Sequence, residues 1–242
     1  MDGAHAQRPG VDRVREHALH GAAARAGLAP AIVAASAVRG ALVTEFLSGR
    51  HWSAQELQDR GRLWRLGERL AALHAVRLPA GPWRFDPQAL YAQYVARAAR
   101  ASGPALPGEA SAARTRIESI GRQLGEAVAR VHRGAAPEAV PAALIHGDLV
   151  CGNLLEGRRL WLLDFEYAQL ADPMFDIGCL LAYYPALAAQ RGTLLQAVGL
   201  GCIGHAERLP GAMYVYRALS WAWHLARGEP GEDPGEFTSA AS

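Results

Sequence analysis

Within one stretch of the sequence, Leu144 to Leu181, three side chains with hard oxygen donors fall at the ends of short apolar runs: Asp148, Asn153 and Asp164. The stretch reads as a short apolar strand stopping at His146, a tight polar turn at Gly147–Asp148, and then a hairpin. One strand runs from Asn153 to Glu156 and ends at Gly157; Leu160 to Leu163 returns as a second apolar run that stops at Asp164. Strands of about four residues joined by a tight turn bring their open ends together. Asn153 and Asp164 therefore become neighbours, with Asp148 on the turn that feeds the first strand. Such a set suits Mg²⁺, which takes oxygen ligands and is usually held by one or two carboxylates together with substrate phosphates. A carboxylate free of the metal can accept the proton of a hydroxyl nucleophile. The bland reading is a structural hairpin whose Asp and Asn residues are turn formers.

His146-Gly147-Asp148 with Asn153 has the spacing H-x-D-x-x-x-x-N, and Asp164-Phe165-Glu166 takes the place of the D-F-G segment of protein kinases. The stretch resembles the catalytic core of the aminoglycoside phosphotransferase and choline kinase superfamily. Asp164-Phe165-Glu166-Tyr167-Ala168 followed by Phe175-Asp176-Ile177-Gly178 is most similar to the choline/ethanolamine kinase branch, with bacterial thiamine kinase-like proteins close behind. The resemblance implies an α+β, protein-kinase-like two-lobe fold with a truncated small N-lobe and a mostly helical C-lobe. It also implies an ATP- and Mg²⁺-dependent phosphotransferase acting on the hydroxyl of a small cationic alcohol, choline or ethanolamine first and thiamine next. Asp148 is then the base, and Asn153 and Asp164 hold the metal. Asp176 caps its helix or ties down the catalytic loop, and His146 braces the turn. Glu166 is placed to attract a cationic acceptor. Tyr183, Tyr184, Tyr214, Trp221 and Trp223 are candidates for the aromatic surface such a group prefers, Tyr183 and Trp221 foremost. Against this, most aromatic side chains on helices are core.

The elements before the site read as follows. Val11 to Gly27 has helical periodicity, and Ala31–Val38 with Ala41–Leu47 reads as a hairpin turning at Arg39-Gly40. The resemblance makes residues 1–47 the nucleotide-binding lobe, with Glu45-Phe46-Leu47 as the hinge that meets adenine. Glu16 is either the helix carboxylate that pairs with a phosphate-binding cation or a plain helix charge beside Arg13 and His20. All 25 basic residues are Arg, so that cation is an arginine, and Arg8 is the one placed for it. The Gly-rich strand pair of the family does not precede the helix, which leaves the hairpin with an uncovered apolar face. Either the gene start lies further upstream or this is a shortened relative. The alternative function is therefore a catalytically impaired, pseudokinase-like binding module.

Residues 48–242 are expected to form the helical lobe, with the catalytic hairpin at 144–168. A capping box at Ser53-Ala54-Gln55-Glu56 opens a helix to about Val76; further helices run from Asp86, from Ala110 to His132, and from Met213 to Ala226. Pro210 is expected to limit continuation of the run from His205 that precedes the last of these, and residues 228–242 to be disordered. Gly199-Leu200-Gly201-Cys202-Ile203-Gly204 matches G-x-G-x-x-G but follows an amphipathic helix, so it reads as an inter-helix turn. A net charge of +2 implies neither nucleic acid nor an anionic membrane as partner, and no apolar run approaches the ~20 residues of a membrane span. Three scattered cysteines, without an apolar leader, suit the reducing cytoplasm. Nothing in the sequence indicates an oligomeric state.

Overall fold

The computed structural model describes residues 10–78, 81–101, 107–133, 142–201 and 205–237. Helix α1 (Arg13–Arg25) opens at Asp12, whose carboxylate accepts from the N–H groups of Val14 and Arg15. This satisfies two of the orphan donors in its first turn. The antiparallel pair β1 (Ile32–Ser36) and β2 (Ala41–Thr44) follows. Val33 and Val43 on this pair are exposed, so the apolar face expected to be uncovered is uncovered among the described residues.

The short strand β3 (Arg50–His51) precedes three helices, α2 (Arg60–His74), α3 (Pro87–Ala101) and α4 (Pro107–Val131). Next come β4 (Ala143–Ile145), the hairpin of β5 (Leu154–Glu156) and β6 (Leu160–Leu162), and β7 (Gln169–Ala171). Helices α5 (Met174–Tyr183), α6 (Arg191–Val198) and α7 (His205–Arg227) complete the chain. The hairpin pairs Leu154 with Leu162 and Glu156 with Leu160, and β3 extends it along the outer edge of β5. A separate antiparallel pair joins β4 to β7. Strands of two and three residues are too short to show periodicity, which is why β3 and β7 are not legible in the sequence.

Helix α2 begins later than its capping box suggests. Ser53 and Glu56 do bond reciprocally, but they close only a single tight turn at Glu56–Gln58. The helix itself starts after Asp59, which accepts from the Arg62 N–H at 2.8 Å. Its apolar face is as expected: Leu63, Leu66, Leu70 and Leu73 are all fully buried. Two other expectations fail. Helix α7 runs straight through Pro210. The proline forfeits one backbone hydrogen bond, and packing of the helix against α3, α4 and α5 outweighs that loss. Residues 228–237 of the expected disordered tail are held down. The Arg116 guanidinium of α4 pairs with Asp233 and Glu236, and Phe237 meets Tyr214 with ring centroids 5.2 Å apart. Gly/Pro-rich composition reads as disorder when the partner groups are distant in sequence. Residues 238–242 lie outside the described residues. Gly199 takes the left-handed conformation (φ 84°) that ends α6, so the glycine motif closes a helix, although residues 202–204 lie outside the described residues. Among the described residues no helix is long and apolar enough to cross a membrane.

Candidate active site

The turn after β4 is held by a buried carboxylate from α5. Asp176 accepts from the His146 N–H at 3.0 and 3.1 Å and from the Gly147 N–H at 2.9 Å. His74 of α2 adds a contact through Nε2 at 2.9 Å. A carboxylate with no solvent exposure needs such donors to offset its desolvation. Asp176 does not cap its helix: Pro173 holds the N-cap position, and Asp172 just before it accepts from the Met174 N–H at 2.9 Å. Gly147 has φ 76°, and a Cβ there would lie 2.7 Å from the Tyr167 carbonyl oxygen, so only glycine fits. The His146 ring is neutral and its tautomer follows from its neighbours. Nδ1 accepts from the Asp148 N–H at 3.3 Å, so Nε2 carries the proton and donates to the Leu163 carbonyl at 2.8 Å. Burial also pushes the His146 pKa down. A ring engaged on both nitrogens braces the turn against the end of β6 and has no lone pair left to act as a base.

Asp148, Asn153 and Asp164 line one cavity of about 420 Å³. Asn153 Nδ2 donates to the Asp148 carbonyl at 2.9 Å and to its Oδ2 at 3.0 Å. The amide nitrogen is thereby committed, and the Asn153 oxygen is the atom left to accept or to ligate. Hairpin closure places Asp164 beside it, since Leu163 N–H donates to the Asn153 carbonyl at 2.9 Å. Asp164 has φ 59°, the one positive value at a residue other than glycine among the described residues. Such a conformation costs of order 1–3 kcal/mol and tends to mark functional positions. The Asp148 carboxyl is pushed up to about 6, first by burial and next by the negative charge of Asp164. Hydrogen bonds from Asn153 and Tyr183 pull it the other way, and Glu166 adds to the rise. No cluster of three His, Cys, Asp or Glu side chains able to hold a metal occurs among the described residues. The donor set is instead one carboxylate and one amide oxygen in a field of excess negative charge. This fits Mg²⁺, which relies on few protein ligands and on substrate phosphates.

The cavity lining is rich in aromatic side chains: Phe85, Tyr94, Tyr167, Tyr183, Tyr216 and Trp223 all contribute to it. Tyr183 is where the sequence reading puts it. Trp221 is not: it is half-buried and does not line the cavity, whereas Trp223 does, donating from Nε1 to the Tyr167 hydroxyl at 3.0 Å. On α7 the residues facing the cavity are Tyr216, Leu219, Ser220, Trp223 and His224, at helical spacing. Their phase is set by packing and could not be read from composition. Tyr184 and Tyr214 also point elsewhere, toward the Cys151 N–H and Phe237. Tyr94, Tyr167 and Tyr216 had no chemical signal in the sequence.

Glu166 lines the cavity but is nearly buried, and Arg13 of α1 lies 3.5 Å away. Arg13 also contacts Glu16 at 2.6 Å, so the described partner of Glu16 is a residue of its own helix. Glu16 is buried, not an exposed helix charge. Arg8 lies outside the described residues. At the expected hinge, Glu45 bonds back to Ala31, accepting from its N–H through Oε1 at 2.9 Å and donating to its carbonyl at 2.9 Å. Phe46 is almost fully exposed and Leu47 half-buried.

The sequence matches the description "Phosphotransferase enzyme family" over residues 4–212. Among solved structures, a choline/ethanolamine kinase family protein from Mesorhizobium loti is 26% identical, with a TM-score of 0.71 covering 92% of this chain and 74% of that one. The choline kinase LicA from Streptococcus pneumoniae is 20% identical with a TM-score of 0.70, covering 94% and 76%. An ADP-bound aminoglycoside phosphotransferase, APH(2'')-Ib, is 15% identical with a TM-score of 0.62, covering 91% and 77%. No match was found among curated proteins. The kinase-like α+β fold that the resemblance implies is therefore the fold observed, and the family match spans the turn, the hairpin and α5 together. The chain belongs to the phosphotransferase enzyme family.

Proposed function

We propose that this phosphotransferase transfers the γ-phosphoryl group of ATP to the hydroxyl of a small cationic alcohol, with choline or ethanolamine the leading acceptors and thiamine next. The observation that carries the reading is the cavity itself: one carboxylate held by an amide, a second carboxylate beside it, and a lining rich in aromatic side chains. Asp148 accepts the hydroxyl proton as the oxygen attacks phosphorus. Asn153 orients Asp148 through its Nδ2 and presents its oxygen, with Asp164, toward the metal. Mg²⁺ bound there would offset phosphate charge as the phosphoryl group moves. Asp176 and His146 fix the backbone of the turn, so Asp148 pays little reorganisation at the moment of transfer. The aromatic faces favour a quaternary or protonated amine by roughly 0.5–2 kcal/mol each, and Glu166 adds negative potential that Arg13 partly offsets. Adenine is assigned to the 45–47 segment.

The likeness to the choline/ethanolamine kinase family protein supports the acceptor class. The test is ADP release by the purified chain with Mg²⁺, ATP and a panel of choline, ethanolamine, thiamine and an aminoglycoside. Turnover with one acceptor, lost in Asp148→Asn, is the expected result. A folded chain that binds an acceptor yet releases no ADP would sink the kinase reading in favour of a binding module.

A further inference from the structure

A second cavity, of about 600 Å³, lies where the start of α1 faces one side of α3. Four arginines line it: Arg15, Arg84, Arg97 and Arg100. Gln93, Arg97 and Arg100 are spaced four and three apart and so share a face of α3. Arg84 is positioned by the pairing of its segment with β7, where the Phe85 N–H donates to the Leu170 carbonyl at 2.8 Å. Two acids also border the cavity, and each is engaged at a helix start. Asp12 caps α1, and Asp86 accepts from the Ala89 N–H at 2.9 Å in the first turn of α3. Among the described residues, Arg15, Arg84 and Arg100 form no ion pair. Arg15 Nη2 donates to the carbonyls of Gly10 and Glu166 at 2.8 and 3.1 Å, whereas its Nε is buried without a partner. Four guanidinium groups and two carboxylates thus surround a concave space, leaving an excess of positive charge.

We infer that this cleft binds a multiply charged oxyanion of the phosphate class. Guanidinium groups match phosphate oxygens with paired, charge-assisted hydrogen bonds. The helix N-termini of α1 and α3 at its border favour the same sign of charge. Leu90 and Gln169 line both cavities, so the cleft adjoins the candidate active site. Two sources would carry the group there. One is an acceptor that carries a phosphate at its far end and its hydroxyl at Asp148, which rests on the kinase reading but replaces the cationic alcohols as acceptor; the other is a free phosphate-bearing effector.

The test is calorimetric titration of the full chain with inorganic phosphate and with pyrophosphate, without nucleotide or Mg²⁺. Saturable pyrophosphate binding is expected, weakened at least tenfold in the Arg84→Ala, Arg100→Ala double variant. Both side chains are exposed, so the variant's fold is safe and its circular dichroism should be unchanged. Asp148→Asn should bind pyrophosphate as the parent does. Absence of saturable binding by the parent, or equal binding by the double variant, overturns the inference. With an active acceptor in hand, pyrophosphate inhibition competitive with that acceptor assigns the cleft to the acceptor's far end. Non-competitive inhibition assigns it to an effector, and either pattern supports the anion site. Binding that is lost in the double variant, in a chain that turns over no acceptor, supports the cleft while rejecting the kinase.

Discussion

Asp148 is where charge and burial pull hardest against each other. Its carboxyl is pushed up to about 6, so the folded chain holds that proton more tightly than the unfolded chain does. The group therefore favours the fold in acid, and this advantage declines as pH rises from about 4 through about 6. At pH 7 the ionised side chain costs stability. Asp148→Asn is expected to stabilise the ligand-free protein at pH 7 by about 1–2 kcal/mol, discounted for partial exposure, with the gain vanishing near pH 4. Urea melts at the two pH values check this, and an equal gain at both would contradict it. The same group predicts an acid limb in kcat/KM with a midpoint at or below about pH 6, because a bound cation favours the carboxylate. In the aromatic lining, Trp223→Ala should raise the acceptor KM by roughly tenfold, in line with one lost cation–π face. Trp221→Ala should leave KM alone. The reverse pattern would move the acceptor to the other face of α7.

At the scale of elements, the hairpin of the candidate site was legible because its strands have clear ends and a tight turn. The donors sit at those ends, and pairing of Leu154 with Leu162 brings them together. The brace behind the turn was only half legible. Asp176 stands out in the motif, but His74 lies 102 residues away on α2 and had no signal beyond its place at a helix end. Helix α5 carries Asp176, and its position depends on a close crossing with α7. A Cβ on Gly178 would come within 2.5 Å of Ala212. Gly178→Val should therefore force the helices apart, costing about 2–3 kcal/mol in stability. Turnover should fall further than that loss of fold explains, because Asp176 moves with the helix. Chemical denaturation and kcat measured on the residual folded protein separate the two effects.

For the whole molecule, the notable feature is how α1 is docked onto the site. Phe165 is fully buried between His20 of α1, at 5.3 Å between ring centroids, and His146, at 4.7 Å. Arg15 reaches the Glu166 carbonyl, and the Leu162 N–H donates to the Leu28 carbonyl at 2.9 Å. The turn at Phe165–Tyr167 is thus shared between the N-terminal helix and the hairpin of the candidate site. At the other end, the 228–237 segment clamps α4 to α7. Phe237→Ala should lower stability by about 1–2 kcal/mol, the worth of a partly buried aromatic ring, without changing acceptor KM. A silent substitution would mean that the segment is not held in solution.

The order of residues along the chain was enough to bring Asp148, Asn153 and Asp164 to one mouth, and the resemblance of that stretch to a known family carried the kinase-like class of fold. Those features are local: they depend on spacings of a few residues, on turn chemistry and on strands that end where polar residues begin. Tertiary packing decided the rest. It chose Trp223 over Trp221 by setting the rotation of α7, and it gave Glu16 and Glu166 a common neighbour in Arg13. It carried α7 through Pro210 and tied down a tail whose composition suggested disorder. It also gathered arginines from α1, α3 and the segment before it around one cleft. Each of these depends on groups far apart in sequence, whose meeting costs chain entropy that only the assembled core can offset.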